Sequence, residues 1–114
     1  MKTVMGVIMK SVLGIIVAVL ALNAQAEMQE FKVVIKDHHF IPAEVKVPAG
    51  VKIKLIVENQ DATPEEFESD ELHREKIIAG NKTAKIIIGP LKPGSYPFFG
   101  EFNEDTAQGT VIAE

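Results

Sequence analysis

"FIPAEVKVPAGVKIKLIVEN", Phe40 to Asn59, is the stretch that decides the fold. Its second half, "VKIKLIVE", sets Val51, Ile53, Leu55 and Val57 on one face, with Lys52 and Lys54 opposite. Alternation with a period of two marks a strand with one buried side. The "VPAG" before it supplies a proline with fixed φ and a glycine free to turn. The same grammar extends in both directions. Upstream, "EFKVVIK" places Phe31, Val33 and Ile35 on one face. Downstream, "KTAKIIIG", "SYPFF" and "QGTVIA" are enriched in β-branched and aromatic residues, as strands are. "IPAE", "IAGN" and "LKPGSY" separate them with turn residues. About eight short strands, spaced by roughly 8–12 residues, predict an all-β sandwich. One stretch reads differently. Thr63-Pro64-Glu65-Glu66 has the look of a capped helix start, which predicts a helical turn within "TPEEFESDELHREK".

The first 26 residues read as a leader rather than as part of the fold. Lys2 and Lys10 carry their only charges, Val12 to Leu22 is apolar, and Ala24-Gln25-Ala26 offers a small-x-small cleavage site. That is the plan of a secretory signal peptide, and the uncharged stretch is short for a bilayer span. The expectation is a signal peptide over 1–26, then one domain over 27–114, exported to a bacterial periplasm. Of the 12 basic residues, Lys2 and Lys10 leave with the leader, against 16 acidic ones, and half of the acids fall between Glu58 and Glu75. A nucleic-acid partner needs a basic face, so none is expected. Cations suit such a surface. With no cysteine in the chain, disulfides contribute nothing, and no nucleophile–base pair, phosphate loop or zinc pattern is present.

Two stretches resemble the ends of a cupredoxin. "FIPAEVKVPAGVKIKLIVEN" is similar to the opening, an aromatic residue, x-Pro, a short strand, a Pro-Ala-Gly turn and a long strand ending in Asn. "LKPGSYPFF…GTVIAE" is similar to the close, a Lys-Pro-Gly turn, a Tyr-led strand and a last strand opened by Gly. Together they cover Glu30 to Glu114. The resemblance implies a Greek-key cupredoxin-like β-sandwich of 7–8 strands. It also implies where type 1 copper ligands would stand, through the pattern Tyr-x3-Cys-x2-His-x3-Met-x-Gly. Laid from Tyr96, the ligand positions fall on Gly100, Asn103 and Ala107, and the closing glycine on Gly109. The upstream histidine position falls on Glu65 or Glu66. No type 1 copper site is therefore expected.

With "PEEFESDELHREKII" and "PGSYPFFGEFNEDTAQG", the chain resembles one branch in particular, the cupredoxin-like periplasmic proteins that accompany bacterial ferrous-iron permeases. That resemblance implies a metal-binding accessory protein of iron uptake. Its partners would be an inner-membrane iron permease and other periplasmic uptake components. The metal would be iron, copper or both, held by carboxylates. Hard oxygen ligands suit iron, manganese or calcium, and mixed oxygen–imidazole sites suit iron or Cu(II). The candidate ligands are Glu101 and Glu104 on the closing loop, Glu65, Glu66 and Glu68 on the facing segment, and His39. If Phe67 is core, Glu66 and Glu68 share the outer face and Glu65 points inward; a bulge or helix would swap them. His38 and His39 are adjacent, so in a strand only one of them reaches a given site. Two mechanisms stay open. Either copper accepts an electron from Fe(II) while carboxylates hold the Fe(III), or the domain only binds and ferries metal, which Gly100 and Asn103 favour. A third reading is a metal-free interaction subunit of a membrane transport complex, using the acidic face or Phe98 to Phe102.

Overall fold

The computed structural model describes residues 27–114, so the expected leader lies outside the described residues. Nine strands follow one another, β1 (Glu30–Lys36), β2 (His39–Ile41), β3 (Glu44–Val47), β4 (Ile53–Asn59), β5 (Glu65–Ser69), β6 (Arg74–Ile78), β7 (Thr83–Ile88), β8 (Gly94–Gly100) and β9 (Gln108–Ala113). A single 3₁₀ turn, Glu101–Asn103, separates β8 from β9. The strands form two sheets, ordered β2-β1-β4-β7 and β3-β9-β8-β5-β6. The pairs β1–β4 and β3–β9 are parallel and the other pairs antiparallel. These crossovers are those of a Greek-key sandwich. β2, only three residues long, is too short for alternation to reveal it in the sequence.

Alternation places the core. In β4 the burial pattern alternates strictly, with Ile53, Leu55 and Val57 inside. Val33 and Ile35 join them from the neighbouring β1, and Val111 from β9 of the facing sheet. Each such side chain contributes about 1.5–3 kcal/mol by leaving water. Val51 does not join them. It stands in the bend before β4 and is 49% exposed, so the buried face begins at Ile53. The expected helical turn is also absent. Glu65–Ser69 is a strand, because Phe67 in its middle has core to fill and alternation serves that better than a helical stripe.

Three rings tie the sheets together at one end. Phe67 of β5 stacks on Phe98 of β8 with centroids 4.9 Å apart, and Phe40 of β2 meets Phe98 edge-on, also at 4.9 Å. Aromatic pairs in these geometries add about 0.5–1.5 kcal/mol beyond their burial. Gly109 is required beside them, since a Cβ there would collide with the Phe98 ring and the Ala43 carbonyl.

Candidate metal centre

The loops that lead into β5 are pinned by two side chains. Asn59, buried at the end of β4, donates through Nδ2 to the carbonyls of Thr63 (2.9 Å) and Ile78 (3.1 Å), and its Oδ1 accepts from Asp61 N at 3.0 Å. The Asp61 carboxylate in turn accepts from Asp37 N at 2.8 Å and His38 N at 3.0 Å. Those bonds, the one from His38 foremost, hold its carboxyl below the usual range. They also fix a β1–β2 turn whose Asp37 and His38 have φ of 51° and 60°, a left-handed region that Asp and His tolerate better than most residues.

β5 then divides its side chains between two faces. Glu65, Phe67 and Ser69 point inward, while Glu66 and Glu68 point out. Ser69 is buried, donating from Oγ to the Pro97 carbonyl at 2.6 Å and accepting from Leu72 N at 3.1 Å. It thereby sets the tight turn to β6, whose register places Glu75 directly across from Glu68. On the other side of β5, Phe67 pairs with Gly100 and Glu68 with Phe99. Glu101, the next residue after β8, is thus delivered beside the same outer face.

The outcome is a cluster of four carboxylates. Glu66, Glu68, Glu75 and Glu101 each offer an oxygen, and these oxygens all lie within 4.8 Å of one another. Neither ion pair found among the described residues, Lys32–Glu58 or Lys54–Glu30, touches them. The nearby Arg74 is committed elsewhere, its Nε donating to the Ile87 carbonyl at 3.0 Å. Like charges packed this closely cannot all ionise. Glu66 is pushed up to about 8, first by a proton shared with Glu75, then by sharing with Glu101, by burial and by their charges. Glu68 is pushed up to about 7, first by a proton shared with Glu101, then by burial and by the charges of Glu101, Glu75 and Asp70. Glu101 is held below the usual range by those bonds from Glu68 and Glu66. Glu66, Glu68 and Glu101 therefore exchange protons together rather than singly. Glu68 Oε2 is buried and has no hydrogen-bond donor when the carboxyls are ionised, so it calls for either a proton or a cation. Beside it, a surface hollow of about 410 Å³ is lined by Glu68, Ser69, Asp70, His73, Arg74 and Glu75.

Of the residues singled out from the sequence, Glu66, Glu68 and Glu101 are in this cluster and three others are not. Glu65 is on the inner face, 2% exposed, with both oxygens engaged. Oε1 accepts from Phe102 N at 2.9 Å and Glu66 N at 3.0 Å, and Oε2 from Asn103 Nδ2 at 2.7 Å. His39 is exposed, with Nδ1 2.8 Å from the Asp37 carbonyl, on β2 of the smaller sheet, whereas the cluster is carried by the larger one. Glu104 is exposed at the end of the 3₁₀ turn, where its carbonyl accepts from Gln108 Nε2 at 3.0 Å. Glu75 was missed by sequence reasoning. Its signal is a cross-strand register that only the turn held by Ser69 defines.

Type 1 copper does not fit these residues. The chain lacks cysteine, and the interior beneath the closing loop is filled by the Glu65 carboxyl, which a Cβ at position 100 would approach to 2.6 Å at Cδ.

Known proteins share this architecture. Residues 10–113 match the family model described as Cupredoxin-like domain. Uncharacterized protein RP394 of Rickettsia prowazekii (strain Madrid E) is 55% identical over 83 residues, which is 73% of this chain and 66% of that protein. The chain thus spans just under two thirds of that relative's length. Auracyanin A, a blue copper protein from Chloroflexus aurantiacus, superposes with a TM-score of 0.66 at 12% identity, covering 77% of this chain and 100% of its own. Amicyanin from Paracoccus versutus gives 0.59 at 20% identity, covering 78% and 83%. The metal-binding domain of the Cu(I)-exporting P-type ATPase CopA of Streptococcus pneumoniae D39, with Cu(I), gives 0.66 at 13% identity, covering 78% and 88%. At such identities the likeness is one of fold.

Proposed function

The chain belongs to the cupredoxin-like domain family, and on that premise we propose that it is an exported metal-binding accessory protein of iron uptake. In this reading the type 1 copper ligands have been replaced, and a carboxylate site on the outer face of the larger sheet takes their role. The observation that carries it is the meeting of Glu66, Glu68, Glu75 and Glu101 within 4.8 Å, with one buried oxygen, Glu68 Oε2, lacking any donor. A cation would supply what a shared proton supplies in its absence. Four carboxylates without imidazole or thiolate favour a hard ion, so iron is the natural cargo and Cu(II) the weaker fit. Negative donors also stabilise the higher charge, which makes Fe(II) easier to oxidise once bound. The leader expected over residues 1–26 supports a periplasmic location, and a membrane iron permease would be the receiver.

Iron retention tests the reading. The protein is loaded with Fe(II) under nitrogen, exposed to oxygen, desalted and assayed for iron beside Glu101→Gln. Retention of one iron per chain by the wild type, lost in the variant, supports the proposal. Equal retention contradicts the site, and no retention by either protein contradicts the proposal and favours the metal-free interaction subunit.

A further inference from the structure

Glu65 lies next to the cluster in sequence and on the opposite side of the sheet. A carboxylate that is 2% exposed is costly unless donors surround it, and here three do. Phe102 N and Glu66 N donate to Oε1, and Asn103 Nδ2 donates to Oε2 at 2.7 Å. Space around it is equally committed. A Cβ added to Gly100 would come within 2.6 Å of Glu65 Cδ, 2.8 Å of its Oε2 and 2.7 Å of Ala107 Cβ. The loop is closed by backbone bonds among the same residues, Gly100 N to the Ala107 carbonyl at 2.8 Å and Ala107 N to the Asn103 carbonyl at 2.8 Å. Gly100 and Asn103 therefore meet one carboxyl group, with Ala107 packed against Gly100 and bonded to both, and these are the three positions onto which the Cys-x2-His-x3-Met pattern falls.

We infer that the Glu65 carboxylate stands in the place of the type 1 copper ion and is the positioning residue of the outer site. A copper ion draws the closing loop together through its ligands. Glu65 does so through hydrogen bonds, accepting from the backbone and the side chain of the 3₁₀ turn Glu101–Asn103. That turn has no capping side chain of its own, so Glu65 supplies the acceptor that its Phe102 N–H needs. Once the turn is fixed, Glu101 is held against Glu66, Glu68 and Glu75. One strand thus does two tasks with consecutive residues, Glu65 anchoring the loop from within and Glu66 meeting its Glu101 from without. The positioning role rests on the metal-binding reading above.

The test is metal affinity in Glu65→Gln and in the double variant Glu65→Gln/Asn103→Asp. The single variant sets an amide against the Asn103 amide. The double variant restores that hydrogen bond with its polarity reversed and keeps the net charge. Titration with Mn(II), followed by the melting point of each metal-free protein, gives the readouts. The expected result is a loss of roughly tenfold to hundredfold in affinity for Glu65→Gln, as for residues that orient metal ligands, and recovery of most of it in the double variant. Wild-type affinity in Glu65→Gln overturns the inference while leaving the function intact. So does a loss that the double variant does not relieve. If the wild type itself takes up no ion, the function fails first and the positioning role with it. Should the Glu65 variants not fold, Asn103→Ala is decisive on the same scale, a tenfold loss supporting the role and wild-type affinity overturning it.

Discussion

Replacing Gly100 by alanine puts one methyl group into a spot with no room for it. The added carbon would lie 2.6 Å from Glu65 Cδ and 2.7 Å from Ala107 Cβ, where non-bonded carbons settle at about 3.5–4.0 Å. Roughly 0.9 Å must therefore be found. Neither neighbour is the free end of a flexible chain. Glu65 is held by three N–H donors, and Ala107 is 0% exposed, with its backbone bonded to Asn103 and Gly100. Overpacking of a tight interior costs about 1–3 kcal/mol. Breaking one bond to Glu65 leaves a buried acceptor short, at about 1–3 kcal/mol more. A total of about 2–4 kcal/mol is expected, partial relaxation offsetting the rest. At about 4–8 °C per kcal/mol for a domain of this size, the melting point falls by at least roughly 8 °C. Urea unfolding at equilibrium should show the midpoint falling with the slope unchanged, the mark of a stability effect alone. A change within about 0.5 kcal/mol, the range of an ordinary surface substitution, would refute the packing of Gly100 against Glu65.

Other expectations follow from the same contacts. Glu66 and Glu68 bind protons more tightly folded, at about 8 and about 7, than at the ordinary value of 4.5. The native state thus holds more protons than the unfolded one in that window, and metal-free stability should fall as pH rises from about 4.5 through 8. Glu66→Gln should flatten this decline, and a melting point that holds or climbs across the window in chelator contradicts the cluster. Phe98→Ala removes the ring shared by Phe40 and Phe67 and should cost about 3–5 kcal/mol in urea unfolding; under about 1 kcal/mol would contradict its place in the core. Asn59→Ala orphans the carbonyls of Thr63 and Ile78 and should cost about 1–3 kcal/mol, with faster amide exchange in residues 60–63 and 78–82. Unchanged exchange there would show that Asn59 does not hold these loops.

The sandwich was legible because its strands bury one face each. In "VKIKLIVE" every second residue from Ile53 to Val57 is inside, and nothing more than alternation is needed to read it. Val51 misled because alternation carries no mark for where a strand starts. The segment after Thr63 misled differently, since Pro64 followed by acids suits a helix start as well as a strand. Once Phe67 is inside, period two alone separates Glu65 from Glu66 and Glu68. The rest of the cluster depends on contacts distant in sequence. Glu75 enters through its register with Glu68, and Glu101 through the 3₁₀ turn that Glu65 holds from 37 residues away. Local pattern is silent on such pairings. The three donors that satisfy Glu65 are silent in the sequence as well, because an inward glutamate reads the same whether it binds a metal or an amide.

The central claim is that Glu66, Glu68, Glu75 and Glu101 hold a cation. It is tested most directly by titrating the metal-free protein calorimetrically with Fe(II) and Mn(II), beside Glu66→Gln and Glu101→Gln, at two pH values on either side of 7. The account predicts one saturable site per chain, tighter at the higher pH because the ion displaces protons, and lost or much weakened in both variants. Absence of binding in the wild type, or equal binding in the variants, would contradict it.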